Sequence, residues 1–266
     1  MGPLIRPGRV ALVTGSSRGI GAAAAMALAQ AGARVVVTAR NEKQLVSVVA
    51  SIRSSGGVAL AAPADIRDPE AVAALRRQAE ETFGPVELLV SNAAVVEPLG
   101  SVWSVDPHEF AASVATNLTG AQSVLHTFVP PMLTAGFGRI VAVSSSAASQ
   151  AIASLGSYCA GKAGFEQLHA AAALDLAGSG VRINTLWPGG TDTAMQAALR
   201  THLPALAQQA RTAYEAGRLR PAEDVAPYII LLLADDLSKH GELIDLGELT
   251  DLAGARTDGP GTVRQG

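Results

Sequence analysis

The stretch RVALVTGSSRGIG, residues 9–21, decides which fold this chain is expected to adopt. Its apolar first half predicts a buried strand, and the Ala-rich run after it predicts a helix. Gly15 permits a tight turn between them, Gly19 lets the backbone approach a pyrophosphate, and Gly21 allows the helix to pack closely on the sheet. Free N–H groups at the start of the helix would face the anion. A strand, a glycine turn and a helix in this order predict a dinucleotide-binding unit.

The rest of the chain repeats this alternation of short β-branched runs with longer Ala/Leu-rich runs. Such a pattern predicts an α/β fold with a single-domain, Rossmann-like, doubly wound parallel sheet of about seven strands and helices on both faces. Strands are predicted at Arg9–Thr14, Arg34–Thr38, Val58–Ala61, Val86–Ser91, Arg139–Ser144, Val181–Trp187 and Glu242–Leu246. Helices are predicted at Gly19–Ala31, Glu42–Ser54, Pro69–Phe83, Pro107–Met132, Ser157–Ala177, Asp192–Glu215 and Ala222–Leu233.

Sequence features mark the end of the long helix and the end of the folded domain. Pro130-Pro131 is expected to disturb the end of the long helix that starts at Pro107, because proline cannot donate a backbone hydrogen bond. Residues 253–266 lack periodicity and apolar anchors and are expected to form a loose or disordered tail. Residues 1–252 are therefore predicted to form one Rossmann-fold domain that binds a dinucleotide.

The composition narrows the possible partners. The chain has 266 residues, of which 48% are hydrophobic, and a net charge of −3, so no basic field indicates binding of nucleic acid or an anionic membrane. One cysteine excludes an internal disulfide framework and fits a reducing compartment. The five histidines show no pair at metal-ligand spacing, so no metal is expected. Without a signal peptide or membrane-spanning run, we expect a soluble, cytoplasmic protein.

The end of the second strand predicts which dinucleotide is bound. An acidic residue there would favour NAD, whereas an arginine accommodates the 2′-phosphate of NADP. The chain has Thr38-Ala39-Arg40-Asn41 at this position, and Arg18 in the glycine turn is a second cation near the same ribose. Together Arg18 and Arg40 can form a charge-assisted clamp on a phosphate. The predicted cofactor is NADP(H).

Tyr158 and Lys162 form the candidate acid/base centre. A spacing of i and i+4 puts the phenol and the ammonium on one helical face. An ammonium nearby would lower the tyrosine pKa, ordinarily about 10, toward the working range. By itself the pair is weak, because such pairs occur by chance on exposed helices. Ser144-Ser145-Ser146 strengthens it, since these hydroxyls end the fifth strand, where open α/β sheets form their ligand crevice.

Taken together, these motifs make the chain resemble the short-chain dehydrogenase/reductases over roughly residues 9–247. The resemblance implies that Tyr158 exchanges a proton with the substrate oxygen, that Lys162 binds the nicotinamide ribose, and that Ser145 polarises the carbonyl. It also implies that Asn117 holds a water relaying protons to Lys162. The implied cofactor contacts, Tyr158 and Lys162 included, are Gly15, Ser17, Arg18, Gly19, Ile20, Gly21, Arg40, Asp65, Ile66, Asn92, Ala93, Ala94, Pro188, Gly189, Thr191 and Thr193.

The chain departs from the family pattern in two places. Ala94 stands where the family usually has glycine, so a methyl group lies where the backbone approaches the cofactor. The ending Asp245-Leu246-Gly247-Glu248 lacks the family's frequent aspartate-glycine-glycine, which often contributes to a tetramer contact. A homodimer or homotetramer is expected from the resemblance alone.

Substrate specificity is expected to lie in two loops. The loop at 147–157 is small and apolar, with Leu155 predicted to face the pocket beside Ser145 and Tyr158, and the segment 191–217 could form a lid. No charge cluster indicates a phosphate or carrier-protein substrate, which favours a small neutral ketone or dicarbonyl. Two subfamily resemblances compete: the glycine turn resembles 3-oxoacyl-carrier-protein reductases, whereas the ending Gly241–Asp245 and the motif around Tyr158 resemble sepiapterin and benzil reductases. A non-catalytic NADP(H)-sensing regulator on the same fold is the alternative from another class.

Overall fold

A sheet of seven parallel strands forms the middle layer of the protein in a computed structural model that describes residues 3–202, 211–212, 214–215 and 219–246. Its strands are β1 (Val10–Thr14), β2 (Arg34–Thr38), β3 (Val58–Ala61), β4 (Leu88–Ser91), β5 (Gly138–Val143), β6 (Val181–Trp187) and β9 (Leu243–Asp245). They stand in the order β3-β2-β1-β4-β5-β6-β9. The chain reverses its direction of travel across the sheet between β1 and β4, where doubly wound sheets form their ligand crevice. This confirms the predicted fold class.

Two helical layers cover the sheet. Buried side chains of α1 (Gly19–Gln30), α2 (Glu42–Ser54) and α8 (Ala226–Leu232) pack on one face. Buried side chains of α3 (Pro69–Phe83), α5 (Gly120–Ala135) and α6 (Gly156–Asp175) pack on the other face. The remaining helices are α4 (Pro107–Val114) and α7 (Ala194–His202), and the short strands β7 (Thr191–Asp192) and β8 (Arg220–Pro221) pair separately.

The strand sequences follow from their position between these layers. All five residues of β1 and all six of β5 are buried, so these strands carry continuous apolar runs rather than an alternating pattern. The predicted bounds of β2, β3 and β6 agree with the structure, and the other strands differ by one or two residues at their ends. Buried β-branched runs between helices were thus a sufficient signal for the sheet.

The long helix predicted from Pro107 differs from the observed one in two ways. It contains a π-helical turn, Ala115–Thr119, between α4 and α5. It also continues past Pro130-Pro131 to Ala135 rather than ending near Met132. Pro131 cannot donate to the carbonyl of Thr127, but the Arg76 Nη1 donates to that carbonyl at 3.3 Å. This tertiary hydrogen bond satisfies the group that the proline leaves free.

The segment predicted as a helix over Asp192–Glu215 is only partly helical where the structure describes it. Residues 191–192 form β7, which pairs in parallel with β8, and the helix α7 begins at Ala194. Residues 203–210 and the predicted tail 253–266 lie outside the described residues. Within the described ranges, no helix is both long and apolar enough to cross a membrane.

Candidate active site

The glycine turn between β1 and α1 has the geometry of a phosphate cradle. Gly15 and Gly19 adopt left-handed backbone angles, with φ of 64° and 56°. A Cβ on Gly15 would lie 2.7 Å from the Ala93 Cα, and one on Gly21 would lie 2.6 Å from the Asn92 Nδ2. Side chains therefore do not fit at these positions without moving the backbone of the neighbouring segment. The first turn of α1 carries no acidic residue and no side-chain cap, which leaves its N–H groups available to an anion.

Asn92 and Thr14 fix this turn at the crevice between β1 and β4. The Thr14 Oγ1 accepts hydrogen bonds from the backbone N–H groups of Asn92 at 2.9 Å and Ala93 at 3.1 Å. The Asn92 Nδ2 donates to the carbonyls of Thr14 at 2.9 Å and Gly15 at 3.2 Å. The predicted cofactor contacts Asn92, Ala93 and Ala94 thus follow β4 directly beside the glycine turn. Asn92 holds the turn itself through its side chain.

Three arginines lie near the carboxyl end of β2. Arg18 and Arg40, the two predicted from sequence, are exposed. Sequence reasoning missed Arg67, which binds both carboxylate oxygens of Asp65 through its Nε at 3.0 Å. Arg67 thereby lowers the pKa of Asp65 below its usual value, and Arg40 acts in the same direction. Because the two residues are separated by one position in a loop, their opposite charges were a usable signal.

Of the three consecutive serines at the end of β5, Ser145 is the one that contacts Tyr158. Its side chain forms a hydrogen bond with the tyrosine, whereas Ser144 is buried and Ser146 is exposed. Ser145 also caps the short 3-10 helix Ser146–Ala148, its Oγ accepting from the Ala147 N–H at 3.2 Å. The cap fixes the hydroxyl on the side of β5 where α6 presents Tyr158.

Burial raises the pKa of Tyr158, and the hydrogen bond with Ser145 opposes this shift. The net shift is upward, opposite to the direction predicted from the proximity of Lys162. Burial is the largest cause of this shift, and the Lys162 ammonium does not oppose it, since its Nζ donates to the Val143 carbonyl at 2.8 Å at the end of β5. Burial also lowers the pKa of Lys162 to about 8, and Glu166 opposes this effect.

Asn117 lies in the π-helical turn, directly against the helix that carries Tyr158 and Lys162. A Cβ on Gly161 would lie 2.7 Å from the Asn117 Cβ, so α6 packs on this turn through a glycine. The Asn117 amide is bound to the loop after β4: its Oδ1 accepts from the Val95 N–H at 2.9 Å and its Nδ2 donates to the Val95 carbonyl at 2.8 Å. These two bonds leave the main chain of Asn117 as the site that we expect a water to bind.

An apolar cluster surrounds Tyr158. The predicted pocket residue Leu155 is buried in this cluster against Tyr158, together with Val96 and Ala147. Partly buried side chains complete the cluster, and the two that come from α7 were not predicted from sequence. The partly buried members are Ala94, Leu99, Ile152, Cys159, Met195 and Leu199.

The loop after β6 closes the crevice from the other side. Pro188 and Thr191 are buried, and the Thr191 Oγ1 donates to the Gly189 carbonyl at 3.3 Å. The Thr193 Cγ2 would lie 3.3 Å from a Cβ on Gly19, so this loop packs over the glycine turn. The glycine turn and the predicted cofactor contacts of the loop after β6 are thus neighbours in space.

The remaining predicted contacts lie along the same edge of the sheet. Ser17 and Ile20 belong to the glycine turn and the start of α1, and Ile66 follows Asp65 and is buried against α5, where a Cβ on Gly120 would lie 2.8 Å from its Cγ1. Two buried hydroxyl oxygens at this edge, the Thr38 Oγ1 and the Ser144 Oγ, have no hydrogen-bond partner within the described part of the chain. No cluster of three or more possible metal ligands occurs among the described residues.

Comparison with known proteins identifies the family. The family model described as short chain dehydrogenase matches residues 9–204. The chain is 37% identical to cis-4-hydroxycyclohexanecarboxylate dehydrogenase of Sinomonas cyclohexanicum, covering 86% of this chain and 91% of that one. It is 35% identical to cyclohexanol dehydrogenase of Acinetobacter sp. strain SE19, with coverages of 86% and 89%.

The fold comparison agrees with this identification. A crystal structure of a variant of the actinorhodin polyketide ketoreductase with NADPH superposes with a TM-score of 0.82 at 29% identity, covering 90% of this chain and 95% of that one. The glycine cradle, the serine–tyrosine contact and the buried lysine lie at one edge of such a sheet. The protein belongs to the short-chain dehydrogenase/reductase family and is an oxidoreductase acting on CH–OH groups.

Proposed function

We propose that the protein transfers a hydride between NADP(H) and a small neutral ketone or secondary alcohol, with Tyr158 as the general acid/base. The observation that carries this proposal is the convergence of Ser145, Tyr158 and Lys162 beside a glycine cradle. Ser145 forms a hydrogen bond with Tyr158, and Lys162 lies one turn after Tyr158 on α6. When bound, the nicotinamide supplies the hydride chemistry, while the protein supplies binding, orientation and the proton.

The residues at the crevice fit a dinucleotide. A pyrophosphate matches the turn in which Gly15 and Gly21 leave no room for side chains, together with the uncapped start of α1. The unpartnered hydroxyl of Thr38 lies at the end of β2, where an adenosine ribose would be held. Arg18 and Arg40 would bind a 2′-phosphate there, which is the basis for proposing NADP(H) over NAD(H).

The protonated state of Tyr158 favours carbonyl reduction at neutral pH. A tyrosine whose pKa is raised by burial stays protonated and can donate its proton to the substrate oxygen. Ser145 would orient that oxygen, and Lys162 would bind the nicotinamide ribose. Oxidation of an alcohol needs the phenolate instead, which higher pH favours. A water bound to the main chain of Asn117 would return the proton to the centre.

The surroundings of Tyr158 indicate an apolar substrate. Ile152, Leu155, Met195 and Leu199 belong to the apolar cluster around the phenol. Of the two lid cations, Arg200 is paired with Asp192 at 3.1 Å, and the Arg211 Nε donates to a backbone carbonyl. Neither is available as a dedicated anion site. Since two relatives are named for alicyclic alcohols, a cyclohexanol- or cyclohexanone-type ring is the substrate class that we propose.

Two alternatives remain open, and one assay separates them from this proposal. Wild-type protein would be mixed with NADPH and cyclohexanone, diketones, quinones, β-ketoesters and a 3-oxoacyl carrier-protein substrate. The proposal predicts NADPH oxidation with the cyclic ketones and dicarbonyls. Preference for the carrier-linked substrate would favour a 3-oxoacyl-carrier-protein reductase. Tight NADPH binding without turnover on any substrate would contradict the proposal and favour a non-catalytic sensor.

The oligomeric state and the cellular location of the protein stay predictions. A homodimer or homotetramer in the cytoplasm is expected from the family resemblance. Sedimentation analysis of the purified protein would determine the oligomeric state, and a single monomeric species at micromolar concentration would contradict the expectation.

A further inference from the structure

The face of α6 that carries Tyr158 and Lys162 also carries a third ionisable side chain, that of Glu166. Glu166 follows Lys162 by four residues, so the two side chains are neighbours along the helix. Lys162 is only 3% exposed, and the hydrogen bond that fixes its ammonium goes to the Val143 carbonyl. A carbonyl carries no net charge, and a buried ammonium without a counter-charge is costly. The Phe165 ring lies 4.5 Å from the Lys162 Nζ and favours the ammonium, and a nearby carboxylate would add the counter-charge that the ring lacks.

Glu166 is held in place by the opposite wall of the crevice. Its Oε1 accepts a hydrogen bond from the Trp187 Nε1. Trp187 is the last residue of β6 and directly precedes Pro188, where the loop over the glycine turn begins. The indole N–H is a donor only, so it needs an acceptor oxygen, and a charged carboxylate oxygen accepts more strongly than a neutral amide oxygen. The contact joins α6 to the start of the loop after β6.

We propose that Glu166, oriented by Trp187, is a positioning residue that keeps the Lys162 ammonium charged for cofactor binding and proton transfer. The inference rests on the proposed function, in which Lys162 serves the acid/base centre. Glu166 itself touches neither the proposed substrate nor the proposed cofactor. It acts through the lysine.

The other groups around Lys162 do not replace this carboxylate. On α6, burial keeps the pKa of His169 at about 4, so this histidine is neutral, and the buried phenol of Tyr158 is protonated at neutral pH. The segments packed against α6 present uncharged groups near the lysine. These groups are the Val143 carbonyl of β5, which accepts the lysine's hydrogen bond, and Asn117 of the π-helical turn, which packs on the neighbouring Gly161. Within α6 itself, the uncharged Phe165 ring lies 4.5 Å from the Lys162 Nζ.

The direction of the effect follows from the charges. Burial lowers the pKa of Lys162 to about 8, and Glu166 raises it against that effect. With a pKa of about 8, roughly nine in ten lysines are charged at pH 7. Removal of the carboxylate charge lowers the pKa further, so the neutral amine becomes a major species at neutral pH. The fraction of enzyme with a charged lysine then falls within the working range.

The lysine content allows a direct measurement. The chain has only three lysines, Lys43, Lys162 and Lys239. Protein labelled with ¹³C at the lysine Cε therefore gives three titrating NMR signals, and the variants Lys43→Arg and Lys239→Arg identify the other two. In Glu166→Gln the Lys162 midpoint is expected to fall by about one pH unit. The midpoints of Lys43 and Lys239 should not move, and Glu81→Gln, an exposed change on α3, is the matched control.

A second variant tests the role of the tryptophan. Trp187→Phe keeps an aromatic ring but removes the N–H, so the carboxylate loses its fixed orientation and the Lys162 midpoint should fall by a smaller amount. The alkaline limb of the pH profile for kcat in ketone reduction should move to lower pH in the same order. A purely structural role would lower activity equally at all pH values. Thermal unfolding of each variant verifies that it is folded.

The results decide the two proposals separately, because the lysine titration needs no substrate. If the Lys162 midpoint is unchanged in both variants, the role of Glu166 is refuted whether or not the enzyme turns over. If the midpoint falls while wild-type protein reduces no ketone, the role of Glu166 stands and the proposed function fails.

Discussion

The parallel strands all begin at one side of the sheet, the amino edge, and all end at the other, the carboxyl edge. These two edges differ in how completely their polar groups are satisfied. At the amino edge, Arg9 binds both oxygens of Asp235, at 3.0 and 2.7 Å, and also pairs with Glu87. Its guanidinium lies 3.6 Å from the centroid of Phe137. Arg139 packs on the same ring and donates to the carbonyls of Gly180 and Asp235. These charges are engaged with one another and with the backbone.

At the carboxyl edge the polar groups are left for something else to bind. Thr38 and Ser144 hold two of the three buried side-chain polar atoms that lack partners within the described residues. Each such group costs about 1–3 kcal/mol when nothing binds it. Gly15 and Gly19 add a backbone conformation that few other residues adopt. One edge thus contributes stability and the other gives up stability for binding, which is typical of functional sites.

The largest expected effect concerns Tyr158 at the carboxyl edge. Tyr158→Phe should lower kcat for ketone reduction by about 10³-fold, because the substrate oxygen loses its proton donor. The dissociation constant of NADPH, measured by fluorescence titration, should stay within about twofold of wild type because the phenyl ring keeps the packing. Residual turnover above a tenth of the wild-type rate would show that another group supplies the proton.

Arg9→Met tests the amino edge. The change leaves Asp235 without its cation and Glu87 with the exposed Arg6, 3.7 Å away, and denaturant unfolding should show a loss of about 2–3 kcal/mol. Because the proposed active site lies at the opposite edge, kcat of the folded protein at low temperature should stay within about twofold of wild type. An equal loss of kcat and stability would mean that the two edges are coupled.

Arg40→Asp tests the cofactor clamp. The substitution removes a cation and adds a carboxylate beside the adenosine ribose, so the ratio of kcat/KM for NADPH over NADH should fall by about tenfold or more. Arg53→Asp, on the last turn of α2, serves as a charge-matched control. An unchanged ratio in Arg40→Asp would place the clamp at Arg18 or Arg67 instead.

The smallest effect concerns the unpartnered hydroxyl of Thr38. Thr38→Val keeps the shape of the side chain and should stabilise the protein without cofactor by about 1 kcal/mol. It should also weaken NADPH binding a few-fold if the hydroxyl binds the ribose. The exposed Thr134, whose hydroxyl donates to the Pro130 carbonyl, provides a control that Thr134→Val should not stabilise. Destabilisation by Thr38→Val would show that the hydroxyl already has a partner.

How far the sequence could predict the molecule depends on the range of the interactions involved. The bounds of β2 and β6 were predictable because a buried strand needs a local run of β-branched residues, and those of β3 because a short apolar run follows the glycines that end α2. The course of the chain through Pro130-Pro131 was not, because it depends on Arg76, which lies 51 residues from the carbonyl that it binds. A π-helical turn likewise leaves no local pattern that distinguishes it from an α-helix.

The candidate active site shows the same difference between local features, which the sequence predicts, and long-range contacts, which it does not. Motif spacing and the family resemblance predicted that Ser145, Tyr158 and Lys162 would meet. They did not predict that burial of Tyr158 would raise its pKa, or that the Lys162 ammonium would bind the Val143 carbonyl. The contact of Glu166 with Trp187 and the position of Met195 and Leu199 near Tyr158 depend on how separate elements pack. No spacing within one element indicates such contacts.

Hydrogen–deuterium exchange of the whole chain with and without NADPH tests most directly the claim that the cofactor site lies at the carboxyl edge. The account predicts that NADPH slows exchange in residues 14–21, 38–41, 65–67, 92–95 and 188–193. It predicts no change at the amino edge, in residues 84–87, 136–139 and 234–236. Protection of the amino edge alone, or no protection of the glycine turn at saturating NADPH, would contradict it.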